Sequence, residues 1–160
     1  MKYRRLRNDE LQELEKEFIN FLAANQVTSD DWEKIKTEGN AKTDRLIEIF
    51  SDTVFDKVLE DVEYLEHKAP HDLKAFHFSE EQVAMNGLKI EGESSVDLTQ
   101  QQNPQEMQQQ LQLTGAKLKL YTAEKKYADS KKMEIFQLME NGALISRDGA
   151  LFKSLEALKA

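Results

Sequence analysis

The sequence predicts an α+β fold, with N-terminal helices packed with a small sheet and two short C-terminal helices. Three observations carry this. Apolar residues recur at spacings of three and four up to about residue 68, the period drops to two after Pro70, and helical spacing returns near the C-terminus. The expected organisation is one domain over residues 1–160. It divides into a helical portion at 1–69 and a mixed portion at 70–160 with a Gln-rich connection at 99–113.

The first helix is expected over Asp9–Ala24. Asn8 is a good N-cap, Asp9 and Glu10 place negative charge on the first turn, and Leu11, Leu14, Phe18, Phe21 and Leu22 form one apolar stripe. In "VTSDDWEKIKTEG" Thr28 can cap a second helix, Val27 can pack on Trp32 as a hydrophobic staple, and Gly39 can take the left-handed C-terminal position. Residues 42–68 read as a long helix, or two abutting, with a stripe of Ile47, Phe50, Val54, Val58, Val62 and Leu65. A stripe that broad is buried against more than one neighbour.

Two strands follow, "DLKAFHF" and "VAMNGLKI", joined as a hairpin by "SEEQ". "AKLKLYTA" alternates more cleanly and is a third strand. The segment "TQQQNPQEMQQQLQLTG" has the composition of a linker, with 8 Gln in residues 100–112. Yet Asn103, Pro104 and Glu106 make a cap, a first-turn proline and an acid in sequence, which predicts a short exposed helix, a flexible loop being the alternative. Ser130 or Asp129 caps "KKMEIFQLMENG", "ALIS" is a short strand, and "RDGALFKSLEALK" closes the chain as a helix.

Composition excludes several chemistries. The chain has 160 residues, 39% of them apolar, enough to bury about 70% of its surface without staples. There is no Cys, which removes disulfides, thiolate metal sites and cysteine nucleophiles. No signal-peptide core and no apolar run of membrane-spanning length is present, so the expected location is the cytoplasm. The net charge of −8 is concentrated in residues 1–100, and an acidic body repels duplex nucleic acid. The basic start, Lys2, Arg4, Arg5 and Arg7, is expected to pair with the acidic helix after it. The six glycines form no phosphate loop, and no G-x-S-x-G elbow occurs. No catalytic signature emerges, and the reading leans towards a non-enzymatic protein without cofactor.

All three histidines fall in "YLEHKAPHDLKAFHF". His67 and His71 are spaced i, i+4, which on one helix could hold zinc, with Glu66, Asp72 and His77 as further ligands. Pro70 interrupts that geometry, because its ring disfavours helix at Ala69. The simpler expectation is His67 in a last helical turn, His71 in a turn and His77 on a strand.

"MKYRRL", "EFINFLAANQVTSDDWEKIK", "VEYLEH" and "IFQLMENGALIS" together resemble a family of small acidic bacterial proteins catalogued as a domain of unknown function. The resemblance implies a bacterial cytosolic protein and carries no activity or site residue.

Three functions compete. The first is a protein-interaction or adaptor protein, self-associating or binding a protein partner through the stripe at 46–65. The second is a metal-binding protein or metal-dependent enzyme built on the histidine region. The third is a single-stranded RNA-associated protein using Lys117, Lys119, Lys125, Lys126, Lys131 and Lys132 beside Tyr121 and Tyr127.

Overall fold

The structure, a computed structural model, describes residues 1–38, 41–101 and 103–159, with backbone only at 29 and 35–38. The chain forms two compact units, Met1–Glu60 and Asp61–Ala160. The first is helical and the second contains the sheet, so the fold is α+β.

The helical unit comprises α1 (Asn8–Glu13), α2 (Glu15–Ala24), α3 (Ser29–Glu38) and α4 (Ala41–Glu60). The expected first helix is thus divided at Leu14, whose φ of −101° and ψ of 18° leave the α region. Backbone bonds still bridge the division, from Leu14 N–H to Glu10 and from Phe18 N–H to Leu14. The cap is Arg7 rather than Asn8: the Arg7 N–H donates to Glu10 Oε1 at 2.8 Å, which turns the first-turn acid back onto the helix start. At α3 the expected capping holds. The Asp31 N–H donates to Thr28 Oγ1 (3.1 Å) and the Thr28 N–H to Asp31 Oδ2 (3.2 Å). Gly39, expected to end that helix, lies outside the described residues.

Leu6, Phe18, Leu22, Ile47 and Phe50 form the core of this unit, with Val27, Trp32, Leu46 and Val54 packed against it. Phe18 meets Trp32 edge-on at 5.0 Å and Phe50 at 4.9 Å between ring centres. Trp32 is therefore half-buried, packed against the core. The broad stripe of α4 is used within the chain: Ile47 and Phe50 are buried, and Val54 rests on the same cluster. The basic start pairs only in part with the helix that follows it. Arg4 grips Glu10 through two bonds (2.8 and 3.1 Å), but Lys2, Tyr3 and Arg5 reach α4 through Asp52, Asp56 and Asp44. Beneath them the buried Ser51 hydroxyl accepts the Leu6 N–H at 2.9 Å and donates to the Ile47 carbonyl at 2.6 Å.

The second unit is built on five antiparallel strands: β1 (Tyr64–Ala69), β2 (Asp72–Phe78), β3 (Gln82–Glu91), β4 (Lys117–Lys126) and β5 (Leu144–Ser146). Their order in the sheet is β4-β3-β2-β1-β5. "YLEHKA" is strand, not the end of a long helix, and this is the main correction to the expected secondary structure. The apolar spacing of Val58, Val62 and Leu65 suits a helix. Tyr64–Ser146 and Tyr64–His77 pairing shows why a strand forms instead: β1 lies between β5 and β2 and finds ladder partners on both sides. Pro70 and His71 make the turn to β2, with Ala69 opposite Asp72.

The other strands and helices fall where expected. β2 and β3 form the hairpin across "SEEQ", closed by the Ser79 hydroxyl donating to the Gln82 carbonyl at 2.9 Å. The Gln-rich segment contains α5 (Pro104–Thr114), with the Gln105 N–H donating to Asn103 Oδ1 at 2.9 Å. Leu111 anchors it against Ile90, Val96 and Ala116. The two C-terminal helices are α6 (Lys131–Glu140), capped by Ser130, and α7 (Ala150–Ala157), which lies against β1, β2 and β3. No described helix is long and apolar enough to cross a membrane.

Candidate functional site

Strand geometry decides where the histidines go. His77 pairs with Tyr64 across β1 and β2, and His67 pairs with Lys74. Residues directly opposite share a face, and successive residues alternate, so His77 and His67 stand on opposite faces of the sheet. His71 sits in the turn. Glu66 shares the face of Tyr64 and pairs with Lys68 at 3.4 Å. Asp72 stands on the other face and accepts a hydrogen bond from the Tyr121 hydroxyl. The i, i+4 helix geometry of His67 and His71 is absent because β1 and its turn occupy those positions. Among the described residues no three His, Asp or Glu side chains group closely enough to share one metal ion.

His77 has a different setting. Its ring stacks on Tyr64 (4.8 Å between centres, 24° between planes), and Phe152 of α7 leans on both rings. Nε2 lies 3.2 Å from Glu63 Oε1, and the Lys153 ammonium sits 5.5 Å from the Tyr64 ring centre. Gly149, at φ +67°, lets the chain pass directly against Tyr64: a Cβ there would lie 2.7 Å from the ring. Tyr64, His77, Phe152, Lys153 and Glu156 line a shallow hollow of about 400 Å³. Next to it Asn86 is wholly buried, its amide donating to Glu156 Oε2 (2.8 Å) and the Phe152 carbonyl (3.2 Å). Its Oδ1 has no partner among the described residues. Hydrogen bonds from Lys159 and then Asn86 hold the Glu156 carboxyl below its ordinary range. Phe152 and Glu156 of α7 both contact strand residues here, so the arrangement docks α7 on the sheet. His77 had been singled out from the sequence, but nothing in the spacing linked it to Tyr64, Asn86 or Phe152.

Of the lysines considered for single-stranded RNA, Lys117, Lys119 and Lys125 share a face of β4 with Tyr121, Lys126 stands on the opposite face, and Lys131 and Lys132 belong to α6. Lys119 pairs with Glu91 (3.5 Å) and Lys125 with Glu134 (3.0 Å). Both tyrosines are engaged: Tyr121 lies over Gly87 with its hydroxyl on Asp72, and the Tyr127 hydroxyl donates to the Ser79 and Gln82 carbonyls.

The helical unit has two open apolar hollows, both bordered by Val27. One hollow of about 400 Å³ runs between α2 and α3, lined by Phe18, Ile19, Leu22, Val27 and Trp32 with Glu15 and Glu33 at its rim. A second, of about 530 Å³, is lined by Val27, Ala41, Leu46 and Ile49 with Lys42 and Arg45. Ile19 and Ile49 are 51% and 43% exposed, although each belongs to a helix whose neighbouring apolar residues are buried. Sequence reading had assigned Val27 to a staple alone. Two isoleucines one step off the buried stripe, at 19 and 49, were the available signal.

A profile of a family of unknown function, DUF6495, matches residues 1–160. The chain belongs to this family. No curated protein and no solved structure matches it.

Proposed function

We propose that this member of the family is a non-enzymatic interaction protein that receives an apolar partner surface in the groove passing Val27. The observation that carries the reading is the pair of apolar hollows sharing Val27, with Ile19 and Ile49 exposed beside them. Exposed apolar area of this kind, rimmed by charge, is what a protein interface covers. The stripe at 46–65 first considered for this role is largely spent in the core, so the proposed docking surface keeps only Leu46 and Ile49 from it and adds Ile19, Val27 and Ala41.

The test is a comparison of two baits in lysate of the protein's own host: the tagged chain and the Ile19→Asp/Ile49→Asp variant. Both positions are exposed, so the variant should fold, which a melting curve checks. The expected result is a stoichiometric protein on the first bait that is absent from the second. Equal recovery on both baits would place the contact elsewhere and end this reading of the groove.

A further inference from the structure

We infer that the partner in the Val27 groove is a second copy of this chain, docked about a two-fold axis passing beside Val27. The inference rests on the reading that the groove is a docking surface and adds the identity of its occupant.

The argument is one of charge order. The hollow on the α2 side carries Glu15 at its rim, and the hollow on the α4 side carries Arg45. Both side chains are exposed. A two-fold axis at the shared residue exchanges the two hollows. It lays the α2 side of one protomer on the α4 side of its partner, so that Glu15 meets Arg45 of the partner subunit, and does so twice. The same operation brings each exposed Ile19 towards the apolar lining around Ile49 in the other copy. Any other partner would have to supply a cation and an anion in the reverse order around an apolar centre. A second copy has that order by symmetry, because an isologous contact uses one patch against itself.

Other surfaces suit a second copy less well. The β4 edge of the sheet carries Lys117, Lys119, Lys125 and Lys126, and like charges discourage edge-to-edge pairing. The β5 edge is only three residues long. The groove itself is modest: its lining is fewer than the roughly 20–30 residues a side of a standard interface. The dimer is therefore weak, with a dissociation constant on the order of micromolar or above.

Sedimentation of the full-length chain across a wide concentration range tests this, using Glu15→Arg, Arg45→Glu and the double variant, each checked for folding by its melting curve. Wild type should self-associate. Each single reversal creates two repulsive contacts and should weaken the dimer by about tenfold. The double variant carries both reversals in one chain and should return close to wild type, because only a two-fold partner sets position 15 against position 45. A monomer at every concentration, or a double variant weaker than either single, overturns the inference. If the chain is monomeric while the isoleucine variant still loses a captured protein, the groove binds a different partner and only the self-association fails. If neither isoleucine nor charge substitutions change anything, both readings fail.

Discussion

Gly87 of β3 lies beneath the ring of Tyr121 on β4, its register partner: a Cβ at position 87 would come within 2.2 Å of the ring carbon that bears the hydroxyl. That hydroxyl is tied to Asp72, and the Lys89 ammonium stands 5.4 Å from the ring centre. Burial first, and then Asp72, raise the Tyr121 pKa, which keeps the phenol protonated as a donor. The ring fills the place of the side chain that glycine lacks.

Gly87→Ala should therefore cost about 1–3 kcal/mol, the usual range for overpacking, because the tethered ring has to move. Adding Tyr121→Ala should make the glycine substitution nearly neutral. Additive losses in a double-mutant cycle of urea melts would show that the two residues do not compete for one space.

Glu10 gives the helical unit a pH dependence. Its carboxyl is lowered from 4.5 to about 2, chiefly by the Arg4 hydrogen bonds and also by the Arg7 N–H, against burial that raises it. A carboxylate with a depressed folded pKa stabilises fully above its unfolded value, and loses that contribution as pH falls through the folded one. Glu10→Gln should be less stable than wild type at pH 6, with the gap closing as pH drops from about 4.5 towards 2. A gap unchanged between pH 6 and pH 3 in thermal melts would contradict this.

Asn86→Asp replaces a buried donor with a carboxyl beside Glu156. The amide bonds to Glu156 and the Phe152 carbonyl are lost, and an unpaired charge in that position should cost on the order of 3 kcal/mol at pH 7. Burial and the neighbouring acid both favour the neutral form, so the loss should shrink as pH falls. Equal losses at pH 7 and pH 4 would refute the burial argument.

Ser130 caps α6 by accepting the Met133 N–H at 3.1 Å, and this helix carries the fully buried Ile135. Ser130→Ala should cost about 1 kcal/mol, while Ser130→Asp or Asn should cost little. Denaturant melts that fail to separate alanine from asparagine would remove the capping explanation.

Because His67 and His77 occupy opposite faces, zinc should leave the melting temperature unchanged, and His67→Ala or His77→Ala should not alter the response. A zinc-dependent rise abolished by either substitution would show that the histidine concerned binds the ion and would overturn this prediction.

Much of this fold was legible where the residues act locally. Thr28 with Asp31, Asn103 with Pro104, and Ser130 are caps that work within a few residues, and each lies where the sequence placed it. β1 was not legible. Val58, Val62 and Leu65 keep a helical interval, and what makes a strand of Tyr64–Ala69 is pairing with Ser146 and His77, which no local pattern contains. The hollows had the same difficulty. Val27 shows one contact in sequence and borders two cavities in space. His77 was visible as a titratable residue, while the Tyr64 and Phe152 rings that enclose it come from different parts of the chain.

The bond from the Leu6 N–H to the Ser51 hydroxyl spans 45 positions, in a unit whose other features are mostly helical turns. Helical turns form from neighbours in sequence, whereas this contact must first close a long loop, at an entropic cost of about 3 kcal/mol. The helices of the first unit can form from local contacts, whereas the N-terminal segment has to reach across the chain to α4. Ser51→Ala, which removes the acceptor without disturbing a helical turn, should slow refolding if this contact is made in the transition state, and should speed unfolding if it is made afterwards.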